Sequence, residues 1–219
     1  KTRPTNRTTS RTASPTRGTH ERLRRGQSPG SRLRPIPVDI YRKNYIISSV
    51  ESFGLAAALH RLGELLRDPV LLIIGGGGSA ILCRWLDRPT LDLDVLASEP
   101  ALGEPFRAAV AQVAGEQGLP AAWINDGAKA YAEILPPDFR SRLIEVGVYG
   151  RLTVMAIGRP DWILLKLFAL RAEDVADLRA LAPTPTELAF VRQQLPRIAR
   201  VNAARAHVME LYLEQGETA

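Results

Sequence analysis

Residues 70–96 read "VLLIIGGGGSAILCRWLDRPTLDLDVL", and this stretch restricts the possible fold more than any other. Val70 to Ile74 is a short apolar run that stops at four consecutive glycines, the pattern of a buried strand closed by a turn. "SAILCRWL" then reads as a short helix broken by "DRPT". "LDLDVLA" alternates apolar and acidic residues with the period of a strand. The order strand, glycine turn, short helix, strand implies an α/β unit with chemistry at the turn.

Two functional readings compete for the glycines. Gly75, Gly77 and Ala80 satisfy G-x-G-x-x-A, and Asp94 follows at roughly the distance of a ribose-binding acid. That acid should close an apolar parallel strand, however, whereas Asp92 and Asp94 lie within an alternating one. No series of strand-helix-strand units follows to complete a doubly wound sheet. A phosphoryl-transfer site accounts for more of the residues. Asp92 and Asp94 would share one strand face about 7 Å apart, an unfavourable pairing unless cations lie between them. Two Mg²⁺ ions would satisfy both and clamp the attacking and leaving oxygens of a nucleotidyl transfer. Glycines remove side chains from the approach to a triphosphate, so the amides of Gly76, Gly77, Gly78 and Ser79 are the expected phosphate cradle. A plain turn before a solvated strand is the bland alternative, but it leaves the order of the three features unexplained.

The rest of the ordered chain fits one domain. Apolar residues recur at helical spacing from about Ser48 to Arg67, "GEPFRAAVAQVAGEQG" is a further helix, and "AAWIN" is a short strand before an Asn125-Asp126-Gly127 turn. "RLIEVGVYGRLTVMAI" reads as two strands meeting at Tyr149-Gly150. Pro160 opens a helical run, and Thr184-Pro185-Thr186-Glu187 places Thr at an N-cap, Pro at N1 and Glu at N3. A last helix is expected from about Asn202 to Glu214. The expected fold class is α/β (α+β): a small mixed sheet flanked by helices, a helical C-terminal part and a disordered basic N-terminal tail. The expected divisions are 1–37 for the tail, 38–158 for the α/β core and 159–219 for the helical part.

The formal net charge of +6 is an uninformative average. Residues 1–44 hold twelve of the 29 Lys and Arg against only Glu21 and Asp39, so the basic excess belongs to the leader and the remainder is net acidic. Arg, Thr, Ser, Pro and Gly dominate that leader, which cannot bury enough surface to offset its ordering entropy. It is either an arm for RNA or another polyanion or a dispensable extension; arginines spaced by Thr, Pro and Ser form no defined face, which favours the second. No apolar run is long enough for a membrane span. Cys83 is the only cysteine, no Cys/His cluster resembles a zinc site, and His20, His60 and His207 are scattered. A cytoplasmic protein with no membrane partner is expected.

"IIGGGGSAILCRWLDRPTLDLDVL" resembles the signature of the nucleotidyltransferase superfamily, Gly-Gly or Gly-Ser followed by Asp-x-Asp. Its Gly-Gly…Ala…Arg-x-Thr-x-Asp-h-Asp form (h apolar) is similar to the minimal bacterial nucleotidyltransferases of the AbiEii-type and MenT-type toxins, and to a related bacterial nucleotidyltransferase-like family. "WILLKLFALRAEDVADLRAL" is similar to their Lys…Ala…Arg…Asp-x-x-Asp helix pair. Where two glycines are customary, this chain has four.

The resemblance implies an enzyme that moves an NMP from an NTP to an acceptor hydroxyl. It suggests tRNA 3′-ends as acceptor, an antitoxin protein as partner and Mg²⁺ as cofactor. Asp92 and Asp94 would hold the metals, and Lys166, a lone cation in an apolar helix, would bind the triphosphate. Asp177, with Asp174 beside it on the same face, is a third catalytic carboxylate or the group that orients Lys166; Glu145 is another candidate for that third acid. Arg88 and Thr90 precede the strand, where they either orient Asp94 or the nucleotide or are simply solvated loop residues. Trp85, Trp123 and Trp162 are read as core residues. The competing class is a non-catalytic nucleotide- or RNA-binding protein that keeps the loop without the complete acid set.

Overall fold

The computed structural model describes residues 48–90 and 92–215, with side chains from residue 54 onward. The basic leader, on which the tail expectation rests, lies outside the described residues.

Helix α1 (Ser48–Leu65) leads into β1 (Val70–Gly75), the central strand of a five-stranded mixed sheet. The short helix α2 (Gly76–Leu82) follows, then β2 (Leu93–Glu99), α3 (Glu104–Gln117) and β3 (Ile124–Asn125). Two 3₁₀ turns (Lys129–Ile134 and Phe139–Arg142) precede the hairpin of β4 (Ile144–Tyr149) and β5 (Leu152–Ala156). Helices α4 (Arg159–Ala169), α5 (Ala172–Leu181), α6 (Pro185–Val201) and α7 (Ala203–Gln215) complete the chain. The sheet order is β3-β2-β1-β5-β4; β1 is antiparallel to β2 and parallel to β5. Strand β3 runs parallel to β2, and β4 antiparallel to β5. Gly75 pairs with Asp94 and Asp94 with Asn125, which lines up the glycine turn, an aspartate and an asparagine in one row across three strands.

The period-two pattern of β1 divides its side chains between two cores. Leu72 and Ile74 pack with Leu59 and Leu62 of α1 and Val110 and Val113 of α3. Ile73 faces the opposite layer, where Trp162, Ile163 and Leu167 of α4 meet Leu178, Val191 and Met209 of the later helices. Each such side chain, when fully buried, contributes roughly 1.5–3 kcal/mol. Among the described residues no helix is long and apolar enough to cross a membrane.

Two local expectations need correction. Helix α2 starts at Gly76 rather than Ser79 and stops at Leu82 rather than Leu86. Glycine is a poor helix former, but close packing overrides that tendency here, and Arg84 in the left-handed region (φ 59°) ends the helix early. Strand β2 begins at Leu93 rather than Leu91, because β1 ends at Gly75 opposite Asp94 and offers Asp92 no ladder partner. The run opened by Pro160 forms a pair of helices, as the resemblance implies, separated at Leu170 (φ 45°). The Thr184 capping box forms as its spacing implies: Thr184 Oγ1 accepts from the Glu187 amide, and Glu187 accepts from the Thr184 amide at 2.8 Å.

Helix α1 lies close on the β4–β5 turn, where a Cβ on Gly63 would come within 1.6 Å of the Tyr149 carbonyl oxygen. Backbone cannot yield as a flexible side chain can, so Gly63→Ala is expected to lower unfolding stability by about 2–3 kcal/mol. Urea denaturation measures this; an unchanged midpoint would mean that α1 does not press on the hairpin.

Candidate functional site

One end of the sheet carries a cavity of about 310 Å³. Gly76 and Gly77, Asp92 and Asp94, and residues of α4 and α5 line it, with Arg88, Thr90 and the 127–131 segment at its sides.

The glycines are there because the turn is crowded. Gly76 has φ +63°, and a Cβ on it would meet Asp94 Oδ2 at 1.9 Å. On Gly77 it would strike the Arg88 guanidinium at 2.7 Å, and on Gly78 the Leu93 side chain at 2.4 Å and the Asp92 carbonyl oxygen at 2.6 Å. Gly75 is pressed by Leu96 at 2.8 Å. Gly76, with its positive φ, and Gly78, against backbone, exclude a side chain, whereas at Gly75 and Gly77 the obstacle is the movable tip of Leu96 or Arg88. Gly76 and Gly77 face the cavity, while Gly78 and Ser79 are buried away from it. The Ser79 hydroxyl donates to the Gly76 carbonyl at 3.0 Å, and the Trp162 indole donates to the same oxygen at 2.7 Å. Trp162 is thus a core residue, 1% exposed, that also pins the turn.

Beside the turn is a chain of alternating charges. The Lys166 ammonium donates to Asp174 Oδ1 at 2.6 Å and is 2.8 Å from Asp177 Oδ2. It also sits 5.2 Å from the centre of a Trp162 ring. Arg88 grips Asp177 with both Nε (2.6 Å) and Nη2 (2.8 Å). Arg171 reaches Asp174 Oδ2 through its side-chain Nε at 2.9 Å and its backbone amide at 3.0 Å. Lys166, Asp174 and Asp177 are all buried. Burial alone would raise both carboxyls, but hydrogen bonds outweigh it and hold them below their ordinary values. The donors are Arg171 and Lys166 for Asp174, and Arg88 and Lys166 for Asp177. Both acids therefore orient Lys166 and the two arginines.

Asp92 and Asp94 contrast with them. Among the described residues no Lys or Arg nitrogen lies within ion-pair distance of either, although both line the cavity. Asp94 is half-buried; burial, and then the neighbouring Asp92 charge, push its carboxyl up, against the Asn125 amide and the more distant Lys166 and Arg171. Asp92 is exposed, and the Thr90 hydroxyl donates to its Oδ1 at 3.2 Å. Two unneutralised carboxylates side by side are a donor set for a hard cation. Mg²⁺ takes one or two carboxylates and completes its shell with water and substrate phosphates, so the pair fits that metal. Among the described residues there is no group of three or more His, Cys, Asp or Glu arranged for a metal ion.

Glu145 is not brought to this place. It lies exposed on the edge strand β4, three strands from β2. The side chain next to Asp94 on the adjoining strand is Asn125, whose Oδ1 accepts from the Gly127 amide at 3.0 Å and so turns its NH₂ the other way. The sequence places Asn125 at the end of a short strand and in a turn with Asp126 and Gly127, and singles out neither these nor Ala128 and Tyr131 for a site, yet Gly127, Ala128 and Tyr131 line the cavity. The Asn-Asp-Gly turn directly after a strand was their only signal.

Residues 54–183 match a family described as "Nucleotidyltransferase of unknown function (DUF6036)". No curated protein and no solved structure matches the chain.

Asp177→Asn would leave Arg88 and Lys166 sharing fewer acceptors in a largely buried setting. The expected loss at neutral pH is about 3 kcal/mol, at the low end for a broken buried pair because Arg88 is partly solvated. Asp177 titrates below its unfolded value, so its contribution is complete above about pH 4 and disappears as pH falls through the lowered folded value. Unfolding curves of the two proteins should converge in acid; a gap independent of pH would show that charge is not its cause.

Proposed function

The chain belongs to this nucleotidyltransferase family, and from that premise we propose that it transfers a nucleoside monophosphate from an NTP to an acceptor hydroxyl with Mg²⁺ as cofactor. The observation that carries the reading is the unneutralised Asp92–Asp94 pair beside a glycine turn and a buried lysine.

In this reading Asp92 and Asp94 would hold the metal, which would neutralise triphosphate charge and make the α-phosphorus easier to attack. The acceptor oxygen bonds to the α-phosphorus, the bond to the bridging oxygen breaks, and pyrophosphate leaves with that electron pair. The hydroxyl proton passes to solvent. Lys166 and Arg171 offer positive charge to the phosphates, and a phosphate that reaches Lys166 competes with Asp174 and Asp177 for it. Thr90 fixes the Asp92 carboxylate, Asn125 steadies Asp94, and Gly76 and Gly77 admit the phosphates without a side chain in their path.

The finer reading follows the resemblance to AbiEii-type and MenT-type toxins: a tRNA 3′-end as acceptor and an antitoxin as partner. A second reading, a nucleotide or RNA binder without turnover, also has an observation in its favour. Asp174 and Asp177 are committed to cations, Glu145 is remote, and Asn125 rather than an acid adjoins Asp94.

Incubation with Mg²⁺, each α-³²P-labelled NTP and total bacterial tRNA separates the two. Label is expected in RNA, falling at least about 100-fold in Asp92→Asn and Asp94→Asn while their melting temperatures stay near that of the wild type. Retained NTP with no label in RNA, protein or small molecules would favour the binder. Full activity in both variants would remove the two aspartates from the site.

A further inference from the structure

The cavity is lined by both charged and uncharged residues; the charged ones are Arg88, Asp92, Asp94, Lys166, Arg171, Glu173 and Asp174. Strand β3 lies on the side of β2 away from β1, so the segment that leaves β3 is carried across β2 from the glycine turn. That segment contributes Gly127, Ala128 and Tyr131, and α4 adds Leu165 and Ala169. None of these five side chains carries a charge, although Arg171, which also lines the cavity, is near enough to Tyr131 to interact with it electrostatically. Tyr131 is half-buried, and its ring meets Phe168 of α4 edge-on, with ring centres 6.2 Å apart.

We propose that this wall of uncharged residues is a nucleobase slot in which Tyr131 is the stacking surface. The ligand would be a nucleoside triphosphate with its phosphates toward Asp92, Asp94 and Lys166. The assignment rests on the nucleotidyl-transfer reading of the same cavity and extends it from phosphate chemistry to the nucleoside.

The wall bearing Tyr131 is fixed before any ligand arrives. Asn125 Oδ1 holds the Gly127 amide at 3.0 Å, and Lys129 pairs with Asp126 at 2.8 Å. At the far end the Arg197 guanidinium, from α6, donates to the carbonyls of Glu133 and Ile134. A wall held at both ends loses little freedom on binding, so stacking is not offset by an ordering cost. Arg197 lies beyond the residues that match the family, and through this contact the C-terminal helices support the slot. Every base has a stackable face, so an aromatic side chain favours nucleosides over bare polyphosphate with limited discrimination among bases.

Calorimetric titration with Mg²⁺ present, using α,β-methylene analogues of ATP and GTP and inorganic tripolyphosphate, tests the slot. The wild type should bind both analogues more tightly than tripolyphosphate. Tyr131→Ala should weaken the analogues about tenfold, within the range of a base–aromatic stack, and leave tripolyphosphate unchanged; Tyr131→Phe should match the wild type. Equal analogue affinity in Tyr131→Ala would overturn the slot while the nucleotidyl-transfer reading stands. A parallel loss of tripolyphosphate would also overturn it, because Tyr131 would then only support the wall. A wild-type protein that binds no analogue would overturn the nucleotidyl-transfer reading itself.

Discussion

The ammonium of Lys166 is buried between Asp174 and Asp177, and much of the surrounding arrangement serves to keep it paired. An unpaired ammonium at this buried position would be costly. The break at Leu170 turns the chain so that α5 presents both acids to α4. Arg88 and Arg171 then close the two ends of the charge chain, and Arg88 lies against Gly77. One buried cation thereby ties α4, α5 and the glycine turn together, while Trp162 holds the turn from below.

That economy leaves Asp92 and Asp94 without cations of their own. The positive groups that would neutralise them are committed to Asp174 and Asp177, so the cavity has carboxylates to spare beside cations that are already satisfied. A triphosphate alone would add repulsion there. A triphosphate bearing divalent metal would supply the missing positive charge, and it would also bring oxygens able to compete for Lys166 and Arg171. Metal and nucleotide are thus expected to favour each other's binding.

Much of this was legible in the chain. The β1 run, the β4–β5 hairpin and the Thr184 capping box depend on local spacing, and the helices and strands formed where periodicity put them to within a few residues. The glycine run was legible as a place without side chains, but not as a helix start, because the contacts that crowd those positions come from Asp94, Arg88 and Leu93. The grip of Arg88 on Asp177 spans 89 positions, and no local pattern reports it. Both acids of α5 were open between metal binding and holding Lys166, a choice that turned on which cations the fold brought near. Asn125 was invisible as a neighbour of Asp94 because strand order, which pairs β3 with β2, is not written in either strand.

The most direct test is titration of Mn²⁺, followed by its electron paramagnetic resonance signal, with and without a non-transferable NTP analogue. Weak binding to the protein alone, much tighter binding with the analogue, and loss of that gain in Asp94→Asn are expected. Tight Mn²⁺ binding that ignores the nucleotide, or that survives Asp94→Asn unchanged, would contradict the proposed joint binding of metal and nucleotide at Asp94.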